Sequence, residues 1–546
     1  MSDYPWNYGD ILDAIDKVVP GDRPAFIHGD RVIHWEAFTR RSNNLARALL
    51  AGGAAPGDKI AFYLRNCPEY GEGIAAGFKA RLTHVNVNYR YVAHELIYLL
   101  DNSDATVVIY GAEFAPRVAE IRAELPGVTQ WIEVDDGYAA SDDVIRYDYL
   151  VASGDGVPGS DGKPLALERS PEDLLFLYTG GTTGMPKGVM WRHQDLWCVT
   201  GAGGNPRLGL PPSPDLAAYI ERLAEEQPPV NLPLPPIMHG TGLLSAIGAM
   251  MHAGTCVTLQ GRSFDADEAL AAIDRHGVTG TTIVGDAFAR PMVEVLDANP
   301  GKYNIATLGS INSSGVMWTR DIKAGLLRHN ENLLLADAFS SSEAIGLGAS
   351  VMTKDEVIEV AKFTLGPSCK VFDEEHREVG VGESGMVGVT GFLPVGYYKD
   401  DEKTARTFPV IDGVRYSIPG DWVRVEADGS LTLLGRGSNC INTGGEKVYP
   451  EEVEEALKDH ESVADALVVG LPDDKWGQSV NAVVALHDGY ELDEIALRDF
   501  TRKTLAGYKL PKRILAKDDL ERAPNGKANY KLIREFAADA LTVELS

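Results

Sequence analysis

The chain has 546 residues, of which 44% are hydrophobic and 24% are charged, as is typical of a globular protein. This length exceeds what one hydrophobic core supports and predicts about two to four domain-sized units. The formal net charge of −28 argues against nucleic acid or an anionic membrane surface as a partner, because both require basic protein surfaces.

Neither the termini nor the cysteines indicate a special compartment. The first residues, Met1–Trp6, lack the charged and apolar regions of a secretory leader, which predicts a cytoplasmic protein. The five cysteines contain no Cys-x-x-Cys pair, so neither a disulfide framework nor a zinc site is indicated. The uncharged stretch from Leu232 to Gln260 is long enough to span a membrane as a helix. Its prolines, glycines and histidines instead favour a buried helix followed by a strand.

Strands and helices alternate in the first part of the chain. Apolar residues at helical spacing predict a helix over residues 36–51, and another is expected around 69–80. The segments Lys59–Leu64 and Ala105–Tyr110 are typical of strands. This alternation predicts an α/β fold of stacked, largely parallel sheets.

A loop rich in glycine and threonine follows the apolar run Leu174–Tyr178, which predicts a buried strand before it. Residues 178–188 read Tyr-Thr-Gly-Gly-Thr-Thr-Gly-Met-Pro-Lys-Gly. Backbone N–H groups in such a loop, together with the charge of Lys187, can bind a polyphosphate. A P-loop is excluded, because Lys187 follows Pro186 and precedes Gly188.

The pattern changes past Gly380. Short β-type runs separated by Gly-Asp and Asp-Gly pairs predict a small antiparallel β unit. Pro450 opens a predicted acidic helix over 450–460. Two apolar runs, 463–471 and 480–486, and a helix near 492–505 then predict a compact α+β module.

The loop at 178–188 closely resembles the phosphate-binding signature of the adenylate-forming superfamily. That superfamily includes acyl-CoA synthetases, nonribosomal adenylation domains and firefly-type luciferases. Further matches follow in the family's order over nearly the whole chain: Ile33–Phe38, Pro56–Asp58, Val85–Tyr91, Glu95–Leu96, Pro235–Pro236, His239–Gly240, Ser340–Glu343, Pro419–Asp421, Gly435–Arg436, Gly444–Lys447 and Pro524–Lys527. The resemblance implies a large N-terminal adenylation domain over 1–436, which includes the small β unit, and a small mobile α+β lid over 437–546.

The resemblance also implies which residues bind ATP. Thr182 and Lys187 would act in catalysis, and Glu343 would hold Mg²⁺, since hard carboxylate oxygens suit that ion. Asp421 and Arg436 would bind the ribose hydroxyls. The remaining nucleotide contacts would be Thr179, Gly180, Gly181, Thr183, Gly184, Ser314, Gly315, Asp337, Ala338, Phe339 and Ser342. The chain departs from the family's Tyr-Gly-x-Thr-Glu pattern by having Phe339 and Ser340 at its first two positions.

Five further positions are implied for the acyl and CoA steps. Lys527 would swing into the site and contact the carboxylate and the α-phosphate. Gly444 and Gly445 would line the pantetheine tunnel. His239 would stand beside the acyl carboxylate, and Gly285 would lie in the acyl pocket. The hinge position carries Ser438, where the family usually has Asp or Lys.

These matches imply an ATP-dependent carboxylic acid–CoA ligase that forms an acyl-AMP and then a thioester, using ATP, Mg²⁺ and coenzyme A. The sequences at 189–193, 435–438 and 507–509 most resemble those of the branch that acts on fatty and sterol-side-chain acids. Aryl or arylalkanoic acids remain alternative substrates. One alternative is an adenylating enzyme that passes its acyl group to a carrier protein. Another is a non-catalytic nucleotide-binding protein, which the joint presence of the catalytic residue types disfavours. A homodimer is also left open.

Overall fold

The computed structural model describes residues 4–138, 141, 144–152, 161–180, 185–204, 210–315, 318, 320–355, 362–436, 441–448, 450–521 and 530–545. The strands in these ranges are β1 (Pro24–His28), β2 (Arg31–His34), β3 (Lys59–Tyr63), β4 (Thr83–Asn86), β5 (Ala105–Gly111), β6 (Gln130–Val134), β7 (Ile145–Arg146), β8 (Leu174–Gly180), β9 (Pro186–Arg192), β10 (Val230–Pro233), β11 (Thr255–Thr258), β12 (Gly280–Ile283), β13 (Ser310–Ser314), β14 (Leu334–Phe339), β15 (Gly348–Met352), β16 (Lys362–Leu365), β17 (Cys369–Phe372), β18 (Ser384–Thr390), β19 (Gly396–Tyr397), β20 (Val410–Ile411), β21 (Val414–Ser417), β22 (Asp421–Val425), β23 (Ser430–Arg436), β24 (Ile441–Thr443), β25 (Glu446–Val448), β26 (Val463–Asp473), β27 (Gly477–Leu486) and β28 (Arg513–Ala516). The α-helices are α1 (Tyr8–Ile15), α2 (Trp35–Ala51), α3 (Pro68–Lys79), α4 (Ala93–Asn102), α5 (Ala115–Ile121), α6 (Tyr147–Val151), α7 (His193–Val199), α8 (Leu216–Glu225), α9 (Gly240–Met251), α10 (Ala266–His276), α11 (Asp286–Ala298), α12 (Arg320–His329), α13 (Asp401–Thr407), α14 (Pro450–Lys458), α15 (Glu494–Thr501) and α16 (Tyr530–Leu545).

The largest sheet has a parallel half and an antiparallel half. Its described strands run in the order β2-β1-β11-β10-β12-β13-β14-β15-β16-β23-β22-β18-β21-β20, with β17 paired to β18. The strands from β1 to β14 in this order are parallel, and the pairs from β14 onward are antiparallel. The predicted antiparallel β unit is therefore present, but it is not a separate sheet, because β16 pairs with β23 and continues the large one.

A second sheet of eight described strands, in the order β19-β9-β8-β4-β3-β5-β6-β7, carries the phosphate-type loop. The predicted strand before the loop is β8, and β9 returns antiparallel to it, with Thr179 opposite Lys187. A strand therefore follows the loop where a P-loop would have a helix, and residues 181–184 between β8 and β9 lie outside the described residues.

Helix α3 lies in contact with both sheets, and all twelve of its residues are buried. A Cβ atom on Gly71 would lie 2.0 Å from the ring of Phe26 on β1, in the large sheet. A Cβ atom on Gly73 would lie 2.5 Å from the ring of Phe62 on β3, in the second sheet. The two glycines therefore set how closely the helix approaches each sheet, and they fit the predicted stacking of α/β layers.

The C-terminal residues form their own α+β unit, as predicted. Its sheet has the order β25-β24-β27-β26 with β28 beside β27, and α14, α15 and α16 pack on it. The large sheet ends at Arg436 and this sheet begins at Ile441, so the chain crosses between them over 437–440, outside the described residues. The predicted boundary after residue 436 stays a prediction.

The predicted helices over 36–51 and 69–80 are α2 and α3, and the uncharged stretch from 232 to 260 contains α9 and β11. The interpretation of that stretch as a buried helix and a strand is confirmed. No helix in the described ranges is long and apolar enough to cross a bilayer.

We expect Gly71→Ala to lower the melting temperature, because the new methyl group overlaps the Phe26 ring. Overpacking of this kind costs about 1–3 kcal/mol, which outweighs the gain of about 1 kcal/mol in helix propensity. Gly248→Ala in α9 is the matched control, since no heavy atom lies within 4 Å of its Cβ position. Thermal unfolding followed by circular dichroism should show a loss only in the first variant. Equal melting of the two variants would contradict the packing of α3.

Candidate active site

A cavity of about 480 Å³ opens where the carboxyl ends of β10, β12, β13 and β14 face the C-terminal unit. Ligand sites in open α/β sheets form outside these strand ends. His239, just before α9, and Ser314 on β13 line the cavity from the N-terminal part, while Gly445, Glu446 and Tyr508 line it from the C-terminal unit. The cavity is therefore completed by both parts of the chain.

Glu446, the first residue of β25, joins the two parts through a buried carboxylate. Its Oε1 lies 3.0 Å from Nε2 of His239 and accepts a hydrogen bond of 2.6 Å from the Arg90 guanidinium. Burial raises the pKa of Glu446, but His239, Arg90 and the nearby Lys509 together outweigh it, so that the pKa is lower than usual. The carboxylate is therefore held in its charged form at the mouth of the cavity.

A second buried charge cluster lies beside the first. The ammonium group of Lys509 is 2.5 Å from a carboxylate oxygen of Glu95 and 2.6 Å from one of Glu452. Burial raises the pKa of Glu452 to about 7, although Lys509 opposes the rise. The amide of Asn88 donates a hydrogen bond of 3.2 Å to the hydroxyl of Tyr508. These contacts attach the C-terminal unit to the start of α4.

The Gly444–Gly445 turn reaches the wall of the cavity. Both residues have positive φ, 58° and 85°, a region that favours glycine. The N–H of Gly444 donates to the carbonyl of Trp476 at 2.9 Å. A Cβ atom on Gly445 would lie 3.2 Å from a methyl carbon of Val284. The turn therefore leaves no room for a side chain on this side.

Comparison with known proteins identifies the family. The model of the AMP-binding enzyme family matches residues 14–398, and that of the AMP-binding enzyme C-terminal domain matches residues 452–527. This chain is an AMP-binding enzyme. The resemblance found from the order of the motifs is thereby confirmed.

Two bacterial proteins are similar to this AMP-binding enzyme over nearly their whole length. A 3-oxocholest-4-en-26-oate–CoA ligase of Rhodococcus rhodochrous is 39% identical over 97% of this chain and 95% of its own. A medium/long-chain-fatty-acid–CoA/3-oxocholest-4-en-26-oate–CoA ligase of Mycobacterium marinum is 39% identical over 97% and 96%. The structure of the amide bond synthetase McbA from Marinactinospora thermotolerans matches with a TM-score of 0.80, at 22% identity, over 97% of this chain and 99% of McbA. That match confirms the predicted fold class.

The structure gathers part of the predicted nucleotide set around the cavity of the AMP-binding enzyme. Ser314, Gly315, Ala338 and Ser342 all line it, as does Thr179 at the end of β8. The Ser314 hydroxyl donates to the Ala338 carbonyl at 3.1 Å, which ties the ends of β13 and β14 together.

Two predicted nucleotide contacts do not line the cavity. Asp337 and Phe339 alternate along β14 with Ala338, so their side chains lie on the other face of the strand. Phe339 is buried with its ring 5.3 Å from Phe363, and Asp337 pairs with the ammonium group of Lys323. Their assignment to the nucleotide stays a prediction that this arrangement does not favour.

The predicted metal and ribose residues lie behind the cavity wall. Glu343 is buried, and its Oε1 accepts a hydrogen bond of 2.8 Å from the Tyr397 hydroxyl. Asp421 is also buried and lies directly opposite Arg436 in the β22–β23 pair. The register brings the two ribose positions together, while the side chain of Arg436 lies outside the described residues.

Some of the remaining predicted residues are placed by the structure, and the others lie outside the described residues. Lys187 forms an ion pair of 3.0 Å with Asp400, and Gly285 is a buried residue whose N–H donates to Ser313 at 3.0 Å. Val284 lines the cavity in place of its neighbour Gly285. Gly180 ends β8. The predicted Gly181, Thr182, Thr183, Gly184, Ser438 and Lys527 lie outside the described residues.

Sequence reasoning assigned no role to Arg90, Glu446, Tyr508 or Lys509, although all four stand inside motif segments. Arg90 and Glu446 are 356 residues apart, and Glu95 and Lys509 are 414 residues apart. A pairing between opposite charges at such separations has no local pattern, so only their place within the motifs could have drawn attention to them.

We expect Glu446→Gln to loosen the C-terminal unit, because the amide lacks the charge that pairs with Arg90 and His239. Weakening a buried charged hydrogen bond costs about 1–3 kcal/mol, so amide exchange at 441–448 should rise about tenfold. Glu461→Gln, an exposed position on the same unit, is the control. Unchanged protection at 441–448 in both variants, measured by hydrogen exchange, would contradict the role of Glu446.

Proposed function

We propose that this AMP-binding enzyme is an ATP-dependent carboxylic acid–CoA ligase that acts through an acyl-AMP. One observation carries the proposal: Ser314 and Gly315 on the nucleotide side share a single cavity with His239 and with the Gly444–Gly445 turn. The two relatives at 39% identity, both named CoA ligases, support the same class.

The chemistry explains why two sets of residues are needed. A carboxylate acylates poorly, because its leaving group would be oxide. In the first step a carboxylate oxygen attacks the α-phosphorus of ATP, which releases pyrophosphate and leaves an acyl-AMP. In the second step the CoA thiol loses its proton and attacks the acyl carbon, so that AMP leaves and a thioester forms. Both steps depend on holding the reacting groups in line and on stabilising the charge that develops.

The ATP-binding roles belong to this proposal. Thr179, Gly180, Gly181, Thr182, Thr183, Gly184 and Lys187 would bind the phosphates, and Ser342 would donate to them. Asp421 and Arg436 would hold the ribose. Mg²⁺ is usually bound by one or two carboxylates together with substrate phosphates, and the buried Glu343, oriented by Tyr397, suits that role. When bound, the ion would neutralise charge on the polyphosphate.

The two steps would use two positions of the C-terminal unit. The Gly444–Gly445 turn at the cavity supports an arrangement suited to CoA. For adenylation the unit, proposed as residues 437–546, would rotate about a hinge near Ser438 and bring Lys527 to the carboxylate and the α-phosphate. Such hinge motions connect two discrete packings.

The acid is expected to be fatty or otherwise bulky and hydrophobic, as the names of the relatives suggest. Aryl acids and transfer to a carrier protein are the alternatives. A screen of carboxylic acids with ATP and free CoA, followed by pyrophosphate release and thioester formation, tests all three. Turnover only with an acyl-carrier protein would overturn the proposal. A cytoplasmic location and a homodimer stay predictions, and light scattering checks the latter.

Substitutions at Gly445 and at Lys527 should each impair a different half-reaction. In Gly445→Leu the branched side chain meets Val284, so thioester formation from supplied acyl-AMP should fall at least about a hundredfold. Formation of acyl-AMP from acid and ATP should be spared. Lys527→Ala should do the reverse, because Lys527 would act only in adenylation.

Gly489→Leu provides the control for Gly445→Leu. Gly489 also has positive φ, 86°, but no atom lies within 4 Å of its Cβ position. It should keep both half-reactions, since backbone strain alone does not obstruct the cavity. Equal losses in both half-reactions for Gly445→Leu would exclude a separate CoA position.

Glu343→Gln should remove activity and leave stability nearly unchanged. The amide oxygen can still accept from Tyr397, so the melting temperature should stay close to that of the parent. Pyrophosphate release should fall by about a hundredfold or more at any Mg²⁺ concentration, because uncompensated phosphate charge raises the activation barrier. Each tenfold loss of rate corresponds to a rise of about 1.4 kcal/mol in that barrier. Glu402→Gln, on the surface of α13, is the control. A destabilised but active Glu343→Gln protein would show that Glu343 is structural.

A further inference from the structure

One face of the parallel sheet is polar where it lines the cavity. Asn231 on β10, Thr282 on β12 and Asn312 on β13 all face α9 and line the cavity. Thr282 lies directly beside Asn312 in the β12–β13 register, and Asn231 lies beside Gly280, two residues further back on β12. The polar side chains therefore form successive steps along one surface.

The opposite face of the same strands is mainly apolar, and the polar residues on it, Thr281 and Ser313, hydrogen-bond to backbone groups of Leu232 and Gly285. Leu232, Ile283 and Ile311 alternate with the polar residues and are buried in one hydrophobic cluster. Strands of a parallel sheet that is covered on both faces are normally rich in aliphatic residues throughout. Core packing therefore explains the face that bears Leu232, Ile283 and Ile311, but it does not explain the polar side chains on the face that lines the cavity.

Helix α9 adds a hydroxyl to this polar face. Its cavity side presents Leu244, Ser245 and Gly248, spaced as one face of a helix. The Thr282 hydroxyl donates to Ser245 Oγ at 2.9 Å, so the Ser245 hydroxyl hydrogen is directed elsewhere. No heavy atom lies within 4 Å of a Cβ position on Gly248, so the helix leaves open space next to Ser245.

These groups lie at a defined depth from the strand ends on the nucleotide side of the cavity. Ser314 stands at the carboxyl end of β13, and Asn312 lies two residues back, which is about 7 Å along a strand. Asn231 lies one further step of about 7 Å back, level with Gly280. Gly280 leaves space for the amide, because a Cβ atom there would lie 2.8 Å from Asn231 Oδ1.

We propose that the acyl pocket selects acids that carry an oxo or hydroxyl group on the acyl body, away from the carboxylate. This inference rests on the proposed acid–CoA ligase activity and specifies its substrate class. The Ser245 hydroxyl and the Asn231 amide can donate to such an oxygen, and the Thr282 oxygen can accept from a hydroxyl. A plain alkyl chain at this depth would offer no acceptor to the Ser245 hydroxyl hydrogen or the Asn231 amide, which disfavours it.

The wild-type protein is first tested with matched acids: decanoic acid, and decanoic acids carrying a single oxo or hydroxyl group at successive positions. We expect kcat/KM for thioester formation to peak at one or two adjacent positions, at least about tenfold above the unsubstituted acid. Substitution close to the carboxylate should bring no gain. A flat series, or a maximum for the unsubstituted acid, would overturn the proposal.

Three variants then locate the recognition. Asn231→Leu, Thr282→Val and Ser245→Ala should each reduce the preference for the substituted acid at least about fivefold, by raising kcat/KM for decanoic acid or lowering it for the favoured acid. Thr258→Val on β11 is the control, because its hydroxyl contacts His28 at 2.9 Å, outside the cavity. An unchanged preference in all three pocket variants would overturn the assignment.

Binding keeps this inference separate from the proposed function. The rise in melting temperature with each acid reports pocket preference without turnover. If no acid yields a thioester, the proposed activity fails, yet a larger rise with the substituted acids would still support the polar pocket. If plain acids are turned over well and substituted acids bring neither faster turnover nor a larger rise, only the pocket inference fails. The same melting curves show whether Asn231→Leu folds, and Ser245→Ala serves where it does not.

Discussion

The cavity depends on one buried carboxylate. Glu446 comes from the C-terminal unit, yet its partners His239 and Arg90 belong to the N-terminal part, so a single charge is shared across the two halves of the site. A buried charge is tolerated only when it is paired, so Glu446 can occupy this position only if both partners are in place. The shape of the cavity mouth follows from that condition.

The same need for paired charges affects how strongly the C-terminal unit is held. If the C-terminal unit were to leave, Glu446 would lose Arg90 and His239. Lys509 would lose Glu95 while keeping Glu452, so the separated groups would have to regain water. Rehydration of these charges would be favourable, and it would offset part of the free energy lost when the ion pairs break. Charge pairs can thus fix the geometry of a contact without making it very strong, as suits a unit that is proposed to occupy two positions.

The sequence predicts some levels of this structure well and others poorly. Motifs with a backbone requirement are readable, because glycine adopts the positive φ of Gly444 and Gly445 more readily than any other residue. Strand and helix positions such as β3 and α3 follow from local periodicity. The continuation of the large sheet from β16 to β23 was not predicted, since strands that pair across 64 intervening residues leave no local signal.

Side-chain direction marks a second limit. Ala338 lines the cavity and Phe339 does not, although both stand in one motif, because a strand turns successive residues to opposite faces. A motif match assigns residues to a neighbourhood, while the register of the sheet decides which of them meet the ligand. The polar steps at Asn231 and Thr282 were missed for the same reason. Asn, Ser and Thr are unremarkable in a sequence until three separate strands align them on one face.

Helix α3 has a mechanical consequence. Its glycines bring its backbone against the Phe26 ring on one sheet and the Phe62 ring on the other, and its remaining side chains are buried between the sheets, so the helix is closely packed on both sides. The large N-terminal part should therefore behave as one stiff body under thermal motion. Any swing of the C-terminal unit would be measured against a fixed frame, and the strand ends that hold the nucleotide and the acid would keep their mutual spacing throughout the cycle.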